Sequence, residues 1–198
     1  GGEVEVSFHR GAAVEDVRMA PQVESAWRQL LQQPGLILLV GPQGAGFGTT
    51  IAGWTGAVRV DLCCSEDVER ASALAQGGQT VLGRIVARTM ADGVARFREL
   101  APSRVAAAAV ITGALFQTRI RRVCPTCCWP AETSAEAGER FGVVAFAAPV
   151  AGVGCPVCSY RRYGGSFIGF ELCVAEDGLR GDLAAGLPLS ALGQRLCP

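Results

Sequence analysis

Short apolar runs alternate along the chain with segments whose apolar residues recur at helical spacing. The apolar and alternating runs predict strands over 3–9, 36–40, 58–62 and 80–86. Helical spacing predicts helices over 23–32, 65–75 and 91–100, and a long helix from 102 to 122. Because strands alternate with helices, the pattern predicts an α/β fold with a mainly parallel sheet.

The residues at the predicted helix ends agree with this interpretation. Ser65 is suited to cap the helix over 65–75, and acidic residues follow it where the helix dipole favours negative charge. Pro102 is suited to the first turn of the long helix. Cations near the end of that helix would offset its negative pole, and these are Arg119, Arg121 and Arg122.

The character of the sequence changes after residue 122. Residues 124–173 are rich in Cys, Gly and Pro and have little helical periodicity, which indicates a small separate module. We therefore expect an α/β core over 3–122 and a second domain with the C-terminal tail over 123–198. Within the tail, 179–192 is expected to form one or two helical turns.

Composition narrows the classes of function. The chain has 198 residues, 49% hydrophobic and 18% charged, and a mean hydropathy of +0.30. This content predicts a packed core and an additional buried face, such as a partner surface. The 18 basic and 18 acidic residues cancel, so nucleic-acid binding is not expected.

No segment is suited to insertion in a membrane. The apolar stretch over 105–118 has 14 residues, short of the ~20 that a spanning helix needs. The first residues lack the pattern of a secretory leader. We therefore expect a cytoplasmic protein, which a partner could hold at the inner membrane.

The chain contains no lysine, because all 18 basic residues are arginine. This excludes sites that need an intrinsic lysine, such as a phosphate-loop lysine or a Schiff base. His9 is the only histidine, and no candidate catalytic partner surrounds it, so we interpret it as an ordinary surface or strand residue.

Four of the nine cysteines form two CxxC knuckles. The candidate ligands are Cys124, Cys127, Cys155 and Cys158. Each knuckle aims two thiolates at one point, and two knuckles complete a tetrahedral sulfur site that suits zinc. Because four protein ligands leave no open position, the zinc would be structural. The alternatives are redox dithiols or free thiols, and the pairing of knuckles argues against both.

The other cysteines have weaker assignments. Cys128, beside the first knuckle, is an alternative ligand. The remaining four are expected to be small buried hydrophobic residues or incidental thiols, namely Cys63, Cys64, Cys173 and Cys197.

A glycine-rich loop follows the strand over 36–40. Residues 41–50, GPQGAGFGTT, are similar to the phosphate-binding pattern GxxxxGK[ST], but Phe47 takes the lysine position and Gly48 the hydroxyl position. A bound phosphate and Mg²⁺ would each lose a main partner. The loop is either a weak anion site or a scaffold that needs its glycines. Its candidate binding residues are Gly41, Gly44, Gly46, Thr49 and Thr50.

These segments together resemble the C-terminal motor domain of the type II secretion and type IV pilus assembly ATPases. The most specific pieces are 34–46, 119–127 and 154–172, within a span of about 20–187. The resemblance implies a reduced RecA-like P-loop domain. It also implies a small subdomain in which both knuckles bind one zinc.

The departures from the family fall on catalytic positions. Cys63 and Cys64 stand about where the family's Walker B segment has Gly-Glu, and 85–88 lacks the family's histidine. Only seven residues, 51–57, separate the glycine loop from the next strand, where family members carry an aspartate box. We also expect the family's N-terminal domains to be missing.

The departures predict a catalytically inactive pseudo-ATPase. It would be an accessory or regulatory protein of a type IV pilus or type II secretion system, in contact with the active ATPase or the inner-membrane platform protein. The alternative is a nucleotide-sensing module that binds ATP, ADP or a cyclic dinucleotide without hydrolysis. A zinc module of an unrelated assembly is a third hypothesis, and homo-oligomers are compatible with each.

Overall fold

The strands and helices follow the order that the apolar pattern predicts as far as residue 100. The computed structural model describes residues 5–7, 19–52, 56–132 and 147–186. In chain order the elements are β1 Glu5–Ser7, α1 Pro21–Leu31, β2 Gly35–Gly41, α2 Phe47–Ala52, β3 Val58–Asp61, α3 Ser65–Gln76, β4 Thr80–Val86, α4 Met90–Leu100, α5 Arg104–Val110, β5 Ile111–Val123, β6 Trp129–Glu132, β7 Ala147–Val150, β8 Tyr163–Val174 and α6 Asp177–Ala185.

Six of the strands form one sheet in the order β1-β8-β5-β2-β4-β3. β2 pairs in parallel with both β4 and β5, and β3 pairs in parallel with β4. β1 pairs antiparallel with β8. The predicted α/β class with a mainly parallel sheet is therefore confirmed.

β2 lies at the centre of the core, and all seven of its residues are buried. Since successive strand residues point to opposite faces, they supply two apolar clusters. The first cluster includes Leu36, Leu38, Val40, Val68, Phe97 and Leu183. The second includes Ile37, Leu39, Trp27, Phe47 and Phe170. Helices cover both faces, as parallel sheets require.

The predicted long helix over 102–122 is wrong. A helix of 7 residues, α5, begins at Arg104 after the Ser103 hydroxyl accepts the backbone N–H of Ala106 at 3.0 Å. The chain then enters β5, a strand of 13 residues that pairs with β2. β-branched and aromatic residues such as Ile111 and Phe116 favour a strand, and the buried backbone obtains its hydrogen bonds from the sheet.

The predicted cap at Ser65 is also wrong. Ser65 is the first residue of α3, and the cap position belongs to Cys64, which makes no side-chain capping bond. The Asp67 carboxylate instead accepts the backbone N–H of Cys63 at 3.2 Å. This bond ties the residue before the cap position to the first turn of the helix.

The chain divides into two compact units. Among the described residues, the first unit comprises 5–7, 19–52, 56–119 and 168–186, and the second comprises 120–132 and 147–167. The division at 122/123 stays a prediction, and the structure groups the end of β8 and α6 with the first unit. No helix in the described ranges is long and apolar enough to cross a membrane.

Candidate metal centre and glycine loop

The two knuckles bring four sulfur atoms together in the second unit. The Sγ atoms of Cys124, Cys127, Cys155 and Cys158 all lie within 4.8 Å of one another. Sγ–Sγ distances are 3.8 Å from Cys124 to Cys155, 3.9 Å from Cys127 to Cys158 and 3.8 Å from Cys155 to Cys158. A tetrahedral ion with bonds of about 2.3 Å would separate its sulfurs by about 3.8 Å. The group can therefore hold a metal ion, and its spacing fits zinc.

The first knuckle is a turn that follows β5 directly. The backbone N–H of Cys128 donates to the carbonyl of Cys124 at 3.0 Å, which closes the turn. The N–H of Cys124 donates to the carbonyl of Arg162 at 3.0 Å, which joins this turn to the residues after the second knuckle. The turn buries Cys124 and leaves Cys127 half-buried.

The second knuckle is a short 3₁₀ turn over Pro156–Cys158. The N–H of Cys155 donates to the Sγ atom of Cys158 at 3.3 Å. Ser159, Tyr160 and Arg162 then have positive φ angles of 49°, 57° and 71°, which L-residues rarely adopt. This backbone course lets main-chain N–H groups face the sulfur atoms.

Two glycines let the segment before the second knuckle pass through a narrow space. A Cβ atom on Gly152 would overlap the carbonyl oxygen of Cys127, and one on Gly154 would lie 2.9 Å from the backbone of Tyr160. The Arg162 guanidinium donates to the carbonyls of Gly152 at 2.7 Å and Ala151 at 3.3 Å. The knuckles are thus joined by close backbone contacts as well as by their sulfurs.

The thiols of the cluster differ in acidity. Burial raises the pKa of Cys124, but N–H groups of Cys127 and Thr126 outweigh it, so that pKa lies below its usual value. The N–H of Cys155 is the main cause that lowers the pKa of Cys158 to about 6. Burial raises the pKa of Cys127 to about 12. A metal ion would displace the remaining protons when it binds.

The other described cysteines lie outside the cluster. The Cys128 thiol donates to the carbonyl of Pro125 at 3.5 Å and is not among the four grouped sulfurs. Cys173 is buried, as predicted, and burial raises its pKa to about 12. Cys63 and Cys64 are exposed, so they are not small core residues. His9 and Cys197 lie outside the described residues.

The glycine loop lies between β2 and α2, where a phosphate loop would lie. The backbone N–H of Ala45 donates to the carbonyl of Pro42 at 3.1 Å, which closes a tight turn. Phe47 is buried, and its ring tip packs close to Gly41. Any other residue at position 41 would place its Cβ atom only 2.9 Å from that ring. Gly44 and Gly46 have φ angles of 80° and 92°, which favour glycine. The lysine position is therefore filled by an aromatic side chain of the core.

Gln117 of β5 anchors this loop, and no pattern in the sequence indicates that role. Its side chain is fully buried, and the amide Nε2 donates to the carbonyl of Ala45 at 2.7 Å. Its Oε1 atom has no partner among the described residues. The Thr50 hydroxyl of α2 donates to the carbonyl of Gly46, just before that helix, at 3.3 Å. Thr49 lies in α2, but its side chain is outside the described part.

The end of β4 lies beside the loop. Val86, at the end of β4, pairs with Gly41, and the N–H of Ala87 donates to the Gly41 carbonyl at 3.1 Å. Cys63 and Cys64 follow β3, the strand on the far side of β4. The sheet thus orders these three segments side by side at the ends of parallel strands.

One curated protein matches this chain in part. The type IV pilus assembly ATPase PilB of Thermus thermophilus is 28% identical over 126 residues, which cover 62% of this chain and 14% of PilB. No protein-family model matches the chain. The chain therefore corresponds to a small part of the length of that relative.

Two solved structures have a similar fold. The pilus retraction motor PilT with bound ADP matches with a TM-score of 0.51 and 13% identity, over 90% of this chain and 57% of PilT. The Legionella pneumophila ATPase DotB matches with a TM-score of 0.53 and 11% identity, over 90% of this chain and 56% of DotB. The described fold is thus similar to that of these two ATPases, as the predicted RecA-like class implied, and it includes a tetracysteine group.

Proposed function

We propose that this chain, a relative of the type II and type IV secretion ATPases, is catalytically inactive and acts through protein contacts in a pilus or secretion system. It would be an accessory or regulatory protein of that system. Its partner would be the active ATPase or the inner-membrane platform protein, and such contact would hold the chain at the membrane.

Phe47 is the observation that carries the proposal. A phosphate loop needs a lysine to neutralise the β- and γ-phosphates, and this chain has no lysine at any position. The buried Phe47 ring packs against Gly41. Removal of that ring to admit a phosphate-binding side chain would cost about 3 kcal/mol of core packing.

The neighbouring groups support the same conclusion. The Thr50 hydroxyl is bonded to the Gly46 carbonyl, and thus is not directed to a magnesium ion. Val86 and Cys64 offer no carboxylate or imidazole for water activation at the positions that resemble the histidine box and Walker B. Catalysis would therefore lack several of its groups at once.

The four-cysteine group has a structural role in this proposal. It would bind one zinc ion with no open coordination position, so the metal would hold the second unit together and take no part in a reaction. The two knuckles consist of turns with few apolar contacts, and such small modules obtain folding energy from their metal.

The proposal is tested by co-purification and by an activity assay. The tagged chain, expressed in its own host at native level, is expected to retain the system's ATPase or platform protein. The purified, zinc-loaded chain is expected to release no phosphate from Mg-ATP above a protein-free blank. Measurable turnover, or recovery of neither protein, would overturn the proposal.

A second candidate function is nucleotide sensing without hydrolysis. It is favoured by Arg119, a cation that approaches the loop. Its Nη2 atom would lie 3.9 Å from the Cβ atom of a side chain at position 46. Calorimetric titration with Mg-ATP, Mg-ADP and a cyclic dinucleotide distinguishes the two functions. Micromolar binding that Arg119→Ala weakens tenfold supports sensing, and no heat at millimolar ligand excludes it.

A further inference from the structure

Several large apolar side chains are exposed in the second unit. The described residues of this unit contribute Trp129, Val150, Val153, Val157 and Tyr160. Val153 is 80% exposed, Val157 73% and Tyr160 70%. Exposed large apolar residues in the described first unit belong to four separate elements, namely Val58, Val86, Val105 and Val174. We call the five residues of the second unit the knuckle face.

Backbone contacts bring the parts of the knuckle face together. Trp129 and Val150 are register partners in the β6–β7 ribbon. Val153 lies between Gly152, which contacts the carbonyl of Cys127, and Gly154, which contacts the backbone of Tyr160. The face is therefore built on a backbone that the two knuckles fix. A fixed surface loses little conformational entropy on binding, which favours association.

Most of the charged side chains in the described part of the second unit are positive. Residues 120–132 and 147–167 contain four arginines, Arg121, Arg122, Arg161 and Arg162, and one acidic residue, Glu132. A zinc ion with four thiolates would add two negative charges, which two of these arginines can offset. No ion pair described for the chain involves Arg121 or Arg161, and both are exposed.

Arg121 is held in place while its donors stay available. Its guanidinium carbon lies 4.0 Å from the centroid of the Tyr163 ring. Stacking uses the face of the guanidinium and leaves its N–H edge for a carboxylate. A partner that matches both features carries acidic and apolar side chains together.

We propose that the knuckle face docks an acidic, apolar segment of a partner protein. This inference rests on the proposed function in protein contact and names the surface and the chemistry of the partner. An anionic membrane would also attract arginine, but membrane-binding clusters use about four to eight basic residues, more than the exposed arginines here. Trp, Tyr and Arg are instead the residues that dominate protein–protein interfaces.

The test uses the full, zinc-loaded chain and fluorescent peptides of 12 residues in anisotropy titrations. A peptide of alternating Glu and Leu is expected to bind at least tenfold more tightly than a Lys-Leu peptide, and more weakly as salt rises. Val153→Ser with Arg161→Glu is expected to weaken that binding at least tenfold. The control pair Val105→Ser with Arg88→Glu changes an exposed valine and arginine of the first unit and is expected to leave binding unchanged.

Three results would overturn the inference. These are equal binding of the two peptides, no effect of the Val153 and Arg161 pair, and preferential binding of phosphatidylglycerol vesicles over the Glu-Leu peptide. Zinc content and melting temperature of each variant show that it is folded, and Val157→Ser provides a second variant if the first is not.

The outcome is separable from that of the proposed function. If the wild-type chain recovers the secretion ATPase and the Val153 and Arg161 pair recovers it equally, the function holds and the inference fails. If the Glu-Leu peptide binds as expected but the chain recovers no component of the system, the docking surface holds and the function fails.

Discussion

Gly152 lies directly against the carbonyl oxygen of Cys127, so no side chain fits between the two residues. Cys127 completes the first knuckle, and Gly152 precedes the second by a few residues. The Arg162 guanidinium bonds the Gly152 carbonyl at 2.7 Å and holds the segment in this position. The glycine therefore sets how closely the two pairs of sulfur atoms can approach.

We expect Gly152→Ala to separate the knuckles and to lower the metal content of the purified protein well below one zinc per chain. Overlap with backbone cannot be relieved by a rotamer change, so we expect a loss of more than about 2 kcal/mol in stability. Gly164→Ala is the matched control, because its Cβ atom would lie 4.0 Å from the nearest described atom, the Cα of Cys124. Full zinc occupancy in Gly152→Ala, by elemental analysis, would contradict this account.

Cys124→Ser and Cys155→Ser are each expected to release the metal and lower the melting temperature, because metal binding supplies folding energy to the second unit. Cys128→Ser is the control, since its sulfur lies outside the group of four. Zinc content and thermal melting measure both effects. If Cys128→Ser lost zinc as readily as the other variants, the four-ligand assignment would be wrong.

Metal retention is expected to weaken as pH falls. The bound sulfurs are thiolates, so the metal-free form carries more protons, and acid therefore favours release. Without metal, the pKa of Cys158 is about 6 and that of Cys127 about 12, so at least one proton must leave on binding even at neutral pH. Release to a zinc indicator is expected to be greater at pH 6 than at pH 8, and a flat profile would oppose thiolate ligation.

Cys173 is expected to make the chain less stable at alkaline pH. Burial raises the pKa of its thiol from 9.0 to about 12, whereas the unfolded thiol ionises near 9. Its stabilising contribution is therefore complete below pH 9 and is lost as pH rises from 9 towards 12. Urea unfolding between pH 8 and 10.5 is expected to show a shallower decline for Cys173→Ala than for the wild type, and parallel curves would contradict the assignment.

Phe47→Lys is not expected to create ATPase activity, because Cys64 and Val86 still stand at the positions where our proposal places other missing catalytic groups. The buried ring is lost and a charge enters the core, so we expect destabilisation of about 3 kcal/mol or more. Phe47→Leu is the control and is expected to lose less stability. Phosphate release from Mg-ATP above that control would show that the loop alone limits catalysis.

The sequence allowed the central strands and the candidate metal ligands to be predicted. β2 and β4 were identifiable because their residues are apolar in short runs bounded by Pro34, Gly35 and Gly78. The four ligands were identifiable because CxxC spacing is a local property of the chain. Both predictions rest on interactions within a few residues in sequence, although the equally local cap predicted at Ser65 was wrong.

The other missed features depend on distant contacts. β5 was predicted as part of a long helix because Pro102 and the arginines within 119–122 suit the two ends of one, and only pairing with β2 decides the strand. Gln117 was missed because its role depends on the Ala45 carbonyl, 72 positions away. Gly113 leaves room for Leu30, because a side chain at position 113 would place its Cβ atom only 2.8 Å from the Leu30 Cδ1 atom. No local pattern indicates that contact.

The edge strand β3 has a consequence for how the protein behaves at high concentration. It has only four residues, and its Asp61 is bonded to Arg84 of β4 at 2.6 and 2.8 Å. Exposed strands can recruit another chain into a growing sheet, and short length with charged side chains opposes that recruitment. The apolar centre of this sheet is thereby shielded at its β3 edge from aggregation by strand addition.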